Sequence, residues 1–195
     1  MQETARRVGI RLELLTVGWN AIEAAVAIAA GVAAGSVALV AFGLDSVVEV
    51  SAALVVLWQF FGEVPEDRER RALRLIGGCF FGLAAYVTLS SSVDLATRSE
   101  PDASTVGIVL TAVSLVVMPA LAWAKRNAGR RMGSRSLVAD STQTQLCAYL
   151  SASTLAGLAA NAAFGWWWAD PLAALVIAAV AIREGRHAWR GDRCC

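Results

Sequence analysis

The sequence predicts an all-α integral membrane protein of six transmembrane helices, on three observations. Hydrophobic residues make up 57% of the 195 residues and charged residues only 17%, where a soluble domain is about half apolar and about a quarter charged. The charges are clustered: Lys and Arg are missing from 12–67, 75–97, 99–124 and 136–182. A helix needs about 20 apolar residues to cross a hydrocarbon core of about 30 Å. The four stretches therefore hold six spans, the first and fourth being long enough for two each.

In chain order, the first span is expected over about 12–32, and the segment GVAAGS (31–36) turns it into the second, about 36–61. The loop GEVPEDRERRALR leads to the third, about 75–96, and TRSEPDAS leads to the fourth, about 105–124. The basic loop KRNAGRRMGSRS precedes the fifth, about 136–162, and GWWWADP precedes the sixth, about 166–182. An Arg-rich tail ends in RCC. The whole chain reads as one transmembrane domain without a separate cytoplasmic domain. The N-terminal MQETARRVGIR has no short apolar core followed by a small-residue cleavage site, so the first span is expected to anchor the chain.

Basic residues set the orientation. Of the 17 Lys and Arg residues, 16 fall in the N-terminus, in the loops after the second and fourth spans, and in the tail, which all lie at one end of a six-span bundle; only Arg98 falls at the other. That bias weighs against the competing reading, a soluble helical bundle, and places both termini in the cytoplasm. Trp166, Trp167 and Trp168 suit the opposite interface, and Asp94 and Asp170 are expected there too. A net charge of +1 implies no nucleic-acid partner. Cys79 and Cys147 fall inside spans, and Cys194 and Cys195 in a cytoplasmic tail, so no disulfide framework is expected.

The second and fifth spans resemble each other. In GSVALVAFGLDSVVE (35–49) and GSRSLVADSTQTQLC (133–147), Gly35, Ser36, Leu39, Val40 and Ala41 match Gly133, Ser134, Leu137, Val138 and Ala139 at a constant offset of 98. The two copies enter the membrane from opposite sides, an inverted repeat of the kind that builds transporters around a midplane site. At the same offset Asp45 matches Gln143 and Glu49 matches Cys147. At 1.5 Å per residue, the four side chains share a band roughly 9 Å deep about the midplane. Each pair is spaced i, i+4 on one helix face, so two opposed faces would form a four-ligand cage.

An ionisable side chain in the apolar core costs about 2.5–3.5 kcal/mol and marks a functional site. Two carboxylates and a thiol, with no Arg or Lys expected at their depth, call for a compensating cation or protons. Oxygen and sulfur donors in a four-ligand site suit Zn²⁺ or a similar transition ion. Asp140 is shallower: a vestibule ligand or a helix N-terminal carboxylate. Glu23 and Asn20 are secondary candidates, as second-layer or proton-carrying groups, or as partners for a neighbouring helix. The single histidine, His187, lies in the tail.

With these residues in view, the chain resembles the cation diffusion facilitator family over essentially the whole of that family's membrane domain. The family's second span reads roughly GSxALLADAxHSxxDxxxS, against GSVALVAFGLDSVVEVS here; its fifth reads roughly ADAxHTxxDxxxS, against ADSTQTQLCAYLS. The family's W-x-DP appears as Trp168, Asp170 and Pro171. Glu49 replaces the usual Asp, Gln143 the usual His and Cys147 the usual Asp. The resemblance implies export of a divalent cation in exchange for protons by a homodimer, of the branch lacking a C-terminal metal-binding domain.

The function expected is therefore proton-coupled efflux of a divalent metal, Zn²⁺ foremost, across the plasma membrane of a prokaryotic cell. Asp45, Glu49 and Cys147 would be direct ligands, and Gln143 a weaker fourth. No enzymatic activity and no prosthetic cofactor are expected, and the sequence has neither a phosphate loop nor a phosphorylation motif. A proton-coupled exporter of organic cations and a non-transporting membrane scaffold are the alternatives.

Overall fold

The computed structural model describes residues 2–60 and 66–190. Among them are six helices and no strand: α1 Gln2–Ala34, α2 Val37–Phe60, α3 Glu66–Thr97, α4 Thr105–Met132, α5 Arg135–Phe164 and α6 Ala169–Arg190. Cys194, Cys195 and Arg193 lie outside the described residues. Packing is most extensive between α1 and α2, α4 and α5, and α3 and α6, while α2 also touches α3, α5 and α6. The main core follows from that arrangement: Leu39, Phe42, Val87, Met118, Leu158 and Ile177 from five helices share one cluster.

Helices α1 to α5 are each long and apolar enough to cross a membrane. Helix α6 has 22 residues, about 33 Å, but Arg183, Glu184, Arg186 and Arg190 occupy its final turns and shorten its apolar part. The outer surface matches a lipid solvent. Leu14, Leu15, Ile22, Val32, Leu89, Val116 and Trp123 all point outward, the last two 71% exposed. Such a surface would be a liability in water, while helices satisfy most of their backbone groups internally, as a bilayer requires. The protein is thus an integral, multi-pass membrane protein.

The helices overrun the expected spans, mostly at one end. Helix α1 begins at Gln2 instead of about 12, α3 at Glu66 instead of about 75, α4 ends at Met132 instead of about 124 and α6 at Arg190 instead of about 182. These extra turns carry most of the arginines. Apolarity marks only the part of a helix that meets hydrocarbon, and Arg is itself a good helix former, so hydrogen bonding continues past the last apolar residue.

The inverted repeat is visible in the backbone. Gly35 and Gly133 both adopt the left-handed conformation, φ 66° and 67°, which glycine enters without a Cβ penalty. Ser36 and Ser134 then cap the next helix, their hydroxyls accepting from the N–H of Leu39 (3.1 Å) and Leu137 (3.3 Å). Their own N–H groups reach back to Gly31 O and Gly129 O, both at 2.9 Å. Gly31 and Gly129 extend the match at the same offset of 98 in a shared G-x-x-x-G-S. A Cβ on Gly31 would stand 2.7 Å from both Val40 N and Val40 Cγ2, and one on Gly129 would stand 3.0 Å from Val138 N and 2.8 Å from Val138 Cγ2. Two equivalent tight hairpins, α1–α2 and α4–α5, therefore point in opposite directions.

At the end remote from the arginines, Phe164 and Trp166 (ring centroids 5.1 Å apart) and Trp166 and Trp168 (5.3 Å) form the expected aromatic group. Asn161 Nδ2 donates to Pro101 O at 2.7 Å and Asp102 N to Ala34 O at 2.8 Å, fastening the α3–α4 loop. Asp170 departs from the expectation. It is 1% exposed and accepts from Ser36 Oγ (2.5 Å) and Ala38 N (3.2 Å). A carboxylate at a helix N-terminus satisfies otherwise orphaned N–H groups and complements the helix dipole, so Asp170 is a buried cap for α2 rather than an interfacial group.

Candidate metal site

Helix α2 carries Asp45 and Glu49 one turn apart on its buried face, 8% and 1% exposed. The doubled cap of Ser36 and Asp170 fixes where α2 begins, and so the depth of both carboxylates. Across from Glu49, α5 presents Thr144 and Cys147, whose side chains lie beside the Glu49 carboxylate. Cys147 is a free thiol, 1% exposed. Asp45 has Glu49, Glu23 and Glu184 as its charged neighbours. Neither oxygen of Glu49 has an aligned hydrogen-bond donor. A buried carboxylate in that condition is costly, and it is oriented beside a thiol that could share a soft cation with it.

The structure thus brings Asp45, Glu49 and Cys147 into one neighbourhood. Gln143 is half-buried, one turn before Cys147. Among the described residues, no three Asp, Glu, His or Cys side chains converge closely enough to enclose a metal ion. The arrangement is a cluster around Glu49, and closing it into a four-ligand cage requires side-chain movement. Glu23, on α1, accepts from Ser46 Oγ of α2 at 2.9 Å, while its Oε1 has no aligned donor. The side chains of Ser114 and Trp19 also lie against the Glu23 carboxylate, and Asn20 Oδ1 is buried without an aligned donor. Asn20 Nδ2 bonds Thr16 O at 3.0 Å on its own helix. These groups line a polar seam between α1, α2 and α4.

One expectation is corrected. The sequence places Lys125 in a solvated loop and leaves no cation near the depth of Glu49. In the structure α4 continues past it, and the Lys125 side chain is fully buried, paired with Asp140 and 3.2 Å from Glu13 Oε2. It also donates to Thr144 Oγ1 at 3.2 Å, and it interacts electrostatically with Glu49. Asp140 is therefore the partner of a buried ammonium. Glu13 escapes sequence reasoning because it stands at the margin of the first span, two residues from Arg11. A signal was present: Lys125 is the only lysine in a chain whose other basic residues are all arginine.

An all-α membrane bundle with an inverted repeat and a buried cluster of two carboxylates and a thiol defines a class, the multi-pass membrane proteins with ionisable groups in their interior. The profile of the cation efflux transmembrane domain matches residues 14–190, and the chain belongs to the cation efflux family, the cation diffusion facilitators. It is 29% identical over 166 residues to an uncharacterized transporter of Synechocystis, covering 80% of this chain and 54% of that protein. It is 27% identical over 154 residues to the cation-efflux pump FieF of Shewanella oneidensis, covering 74% of this chain and 52% of that protein. The chain spans about half the length of these curated relatives.

Proposed function

We propose that the chain exports a divalent transition-metal cation, Zn²⁺ foremost, in exchange for protons, with Asp45, Glu49 and Cys147 as ligands and Gln143 as a weaker fourth. The observation that carries this reading is the Glu49 carboxylate: 1% exposed, without an aligned hydrogen-bond donor on either oxygen, and against the Cys147 thiol. Family membership and the FieF relative, named as a cation-efflux pump, support the direction of transport. Ligands of this type bind metal only when deprotonated, so binding releases protons, and an inward proton gradient would drive the exchange.

The proposal includes a single transmembrane domain, both termini in the cytoplasm and a homodimer in the plasma membrane. Support for the dimer comes from α3, where Gly78 and Gly82 face outward, and a Cβ on either would meet nothing within 4 Å. Small residues four apart let two membrane helices approach closely. Uptake by proteoliposomes across a panel of Zn²⁺, Cd²⁺, Co²⁺ and Mn²⁺ tests the function. Zn²⁺ or Cd²⁺ accumulation that collapses in Glu49→Gln supports it; accumulation of neither ion, or an unchanged rate in that variant, sinks it.

A further inference from the structure

Toward the Arg-rich end of the bundle, about two turns of α5 from Cys147, lies a second charged group. Lys125 of α4 sits between Glu13 of α1 and Asp140 of α5, all three nearly or wholly removed from solvent. Its Nζ pairs with Asp140 Oδ2, lies 3.2 Å from Glu13 Oε2 and donates to Thr144 Oγ1. Two carboxylates thus face one ammonium, leaving a formal excess of one negative charge. Both Glu13 oxygens and Asp140 Oδ1 are buried without an aligned hydrogen-bond donor. A buried ion pair built for stability uses its remaining lone pairs, and here Glu13 Oε1 and Asp140 Oδ1 have no aligned donor while Glu13 Oε2 has only its ion pair with Lys125. Thr144 joins this group to the other site, since its hydroxyl accepts from Lys125 and lies beside Glu49.

The residue type adds a second argument. Arginine is the usual choice for a permanent buried pair, because its planar fork locks both oxygens of a carboxylate. Lysine offers a compact point charge on a flexible stem, and the chain uses it once, at this position. A point cation held by under-used carboxylate oxygens occupies the position a metal ion would take, and its stem lets it leave.

We propose that Glu13 and Asp140, with the Thr144 hydroxyl, form a second cation site toward the Arg-rich end, in which the Lys125 ammonium is the resident cation and which a divalent transition metal enters by displacing it. This rests on the export reading and adds a step to it, a waiting position from which the metal passes Thr144 to Glu49. All donors at this position are oxygens, so it discriminates less sharply among metals than a site containing Cys147. Selectivity then belongs to the inner site and admission to the outer one.

The lone lysine makes the test direct. The full chain, purified in mild detergent with ¹³C at lysine Cε, gives one lysine resonance, which is followed by NMR during titration with Cd²⁺ while equilibrium dialysis counts the metal bound. The expected result is a displaced lysine resonance on metal binding in wild type and in Glu49→Gln, and no displacement in Asp140→Asn. Lys125→Met, which removes the competing cation, is expected to strengthen the weaker binding step about tenfold. Should Lys125→Met fail to fold, the wild-type resonance still decides. Metal bound with the resonance unmoved overturns the inference and leaves the export reading standing, with the triad a structural ion pair. A shift that persists in Asp140→Asn, or that vanishes in Glu49→Gln, also overturns it, because the lysine is then responding to metal elsewhere. Absence of any bound metal removes both.

Discussion

Gly31→Ala probes the hairpin that positions the carboxylates of α2. The added Cβ would stand 2.7 Å from Val40 N and Val40 Cγ2 and 3.2 Å from Leu39 C, where carbon contacts relax at about 3.5–4.0 Å. Two of the three atoms are backbone and cannot rotate away, so α1 and α2 must separate by roughly 1 Å. Overpacking of this kind costs about 1–3 kcal/mol, and the contact with backbone puts it at the upper end. Replacing glycine by alanine in a helix returns about 1 kcal/mol, leaving a net loss of about 2 kcal/mol. Gly18, on the same helix, would have nothing within 4 Å of an added Cβ, so Gly18→Ala should gain up to about 1 kcal/mol. The gap of about 3 kcal/mol corresponds to about 6–12 °C in Tm for a chain of this size. Thermal unfolding in one detergent, followed by circular dichroism, measures it. The inverted repeat adds that Gly129→Ala should behave like Gly31→Ala, because its Cβ would meet Val138 in the same way. Equal Tm values for Gly18→Ala and Gly31→Ala would refute the close packing of the α1–α2 hairpin.

Three further outcomes are expected. Cys147→Asp, by replacing a soft donor with a hard one, should move metal preference from Cd²⁺ and Zn²⁺ toward Mn²⁺, and an unchanged ranking in competition dialysis would remove Cys147 from the ligands. In a background without native cysteines, a cysteine at exposed position 102 should react with an impermeant maleimide in intact cells and one at exposed position 130 should not; the reverse pattern overturns the proposed orientation. Cross-linking in native membranes through a cysteine at position 82 should give a covalent dimer, and a chain that stays monomeric there and in mild detergent counts against the homodimer.

Much of this architecture was legible because membrane constraints write themselves into sequence. Long Arg-free apolar stretches have few other uses, and the Gly-Ser pairs at 35–36 and 133–134 appear as left-handed turns followed by serine caps. Asp45 and Glu49 stand out because carboxylates are rare in such stretches. The misreadings share a cause. Lys125, Glu13 and Asp170 lie near span ends, where hydropathy cannot distinguish a solvated charge from a paired one. Lys125 is buried only because α4 continues past it and α1 and α5 bring two carboxylates to meet it. Asp170 is buried only because the start of α2, 132 residues earlier at Ala38, presents it with unpaired N–H groups. Such partners are set by tertiary packing. The Gly31–Gly129 match was available in the sequence at the same offset, but its meaning, backbone at 2.7–3.0 Å from an added Cβ, required the fold.

The central claim is that metal binding at Asp45, Glu49 and Cys147 exchanges the ion for protons. Isothermal titration of Zn²⁺ into the purified protein, in buffers of differing ionisation enthalpy at several pH values between about 6 and 8, counts the protons released per ion bound. The account predicts proton release, an affinity that falls as pH falls, and a smaller proton count in Glu49→Gln, which removes one titrating ligand. Zn²⁺ binding with no proton released anywhere in that range would contradict it.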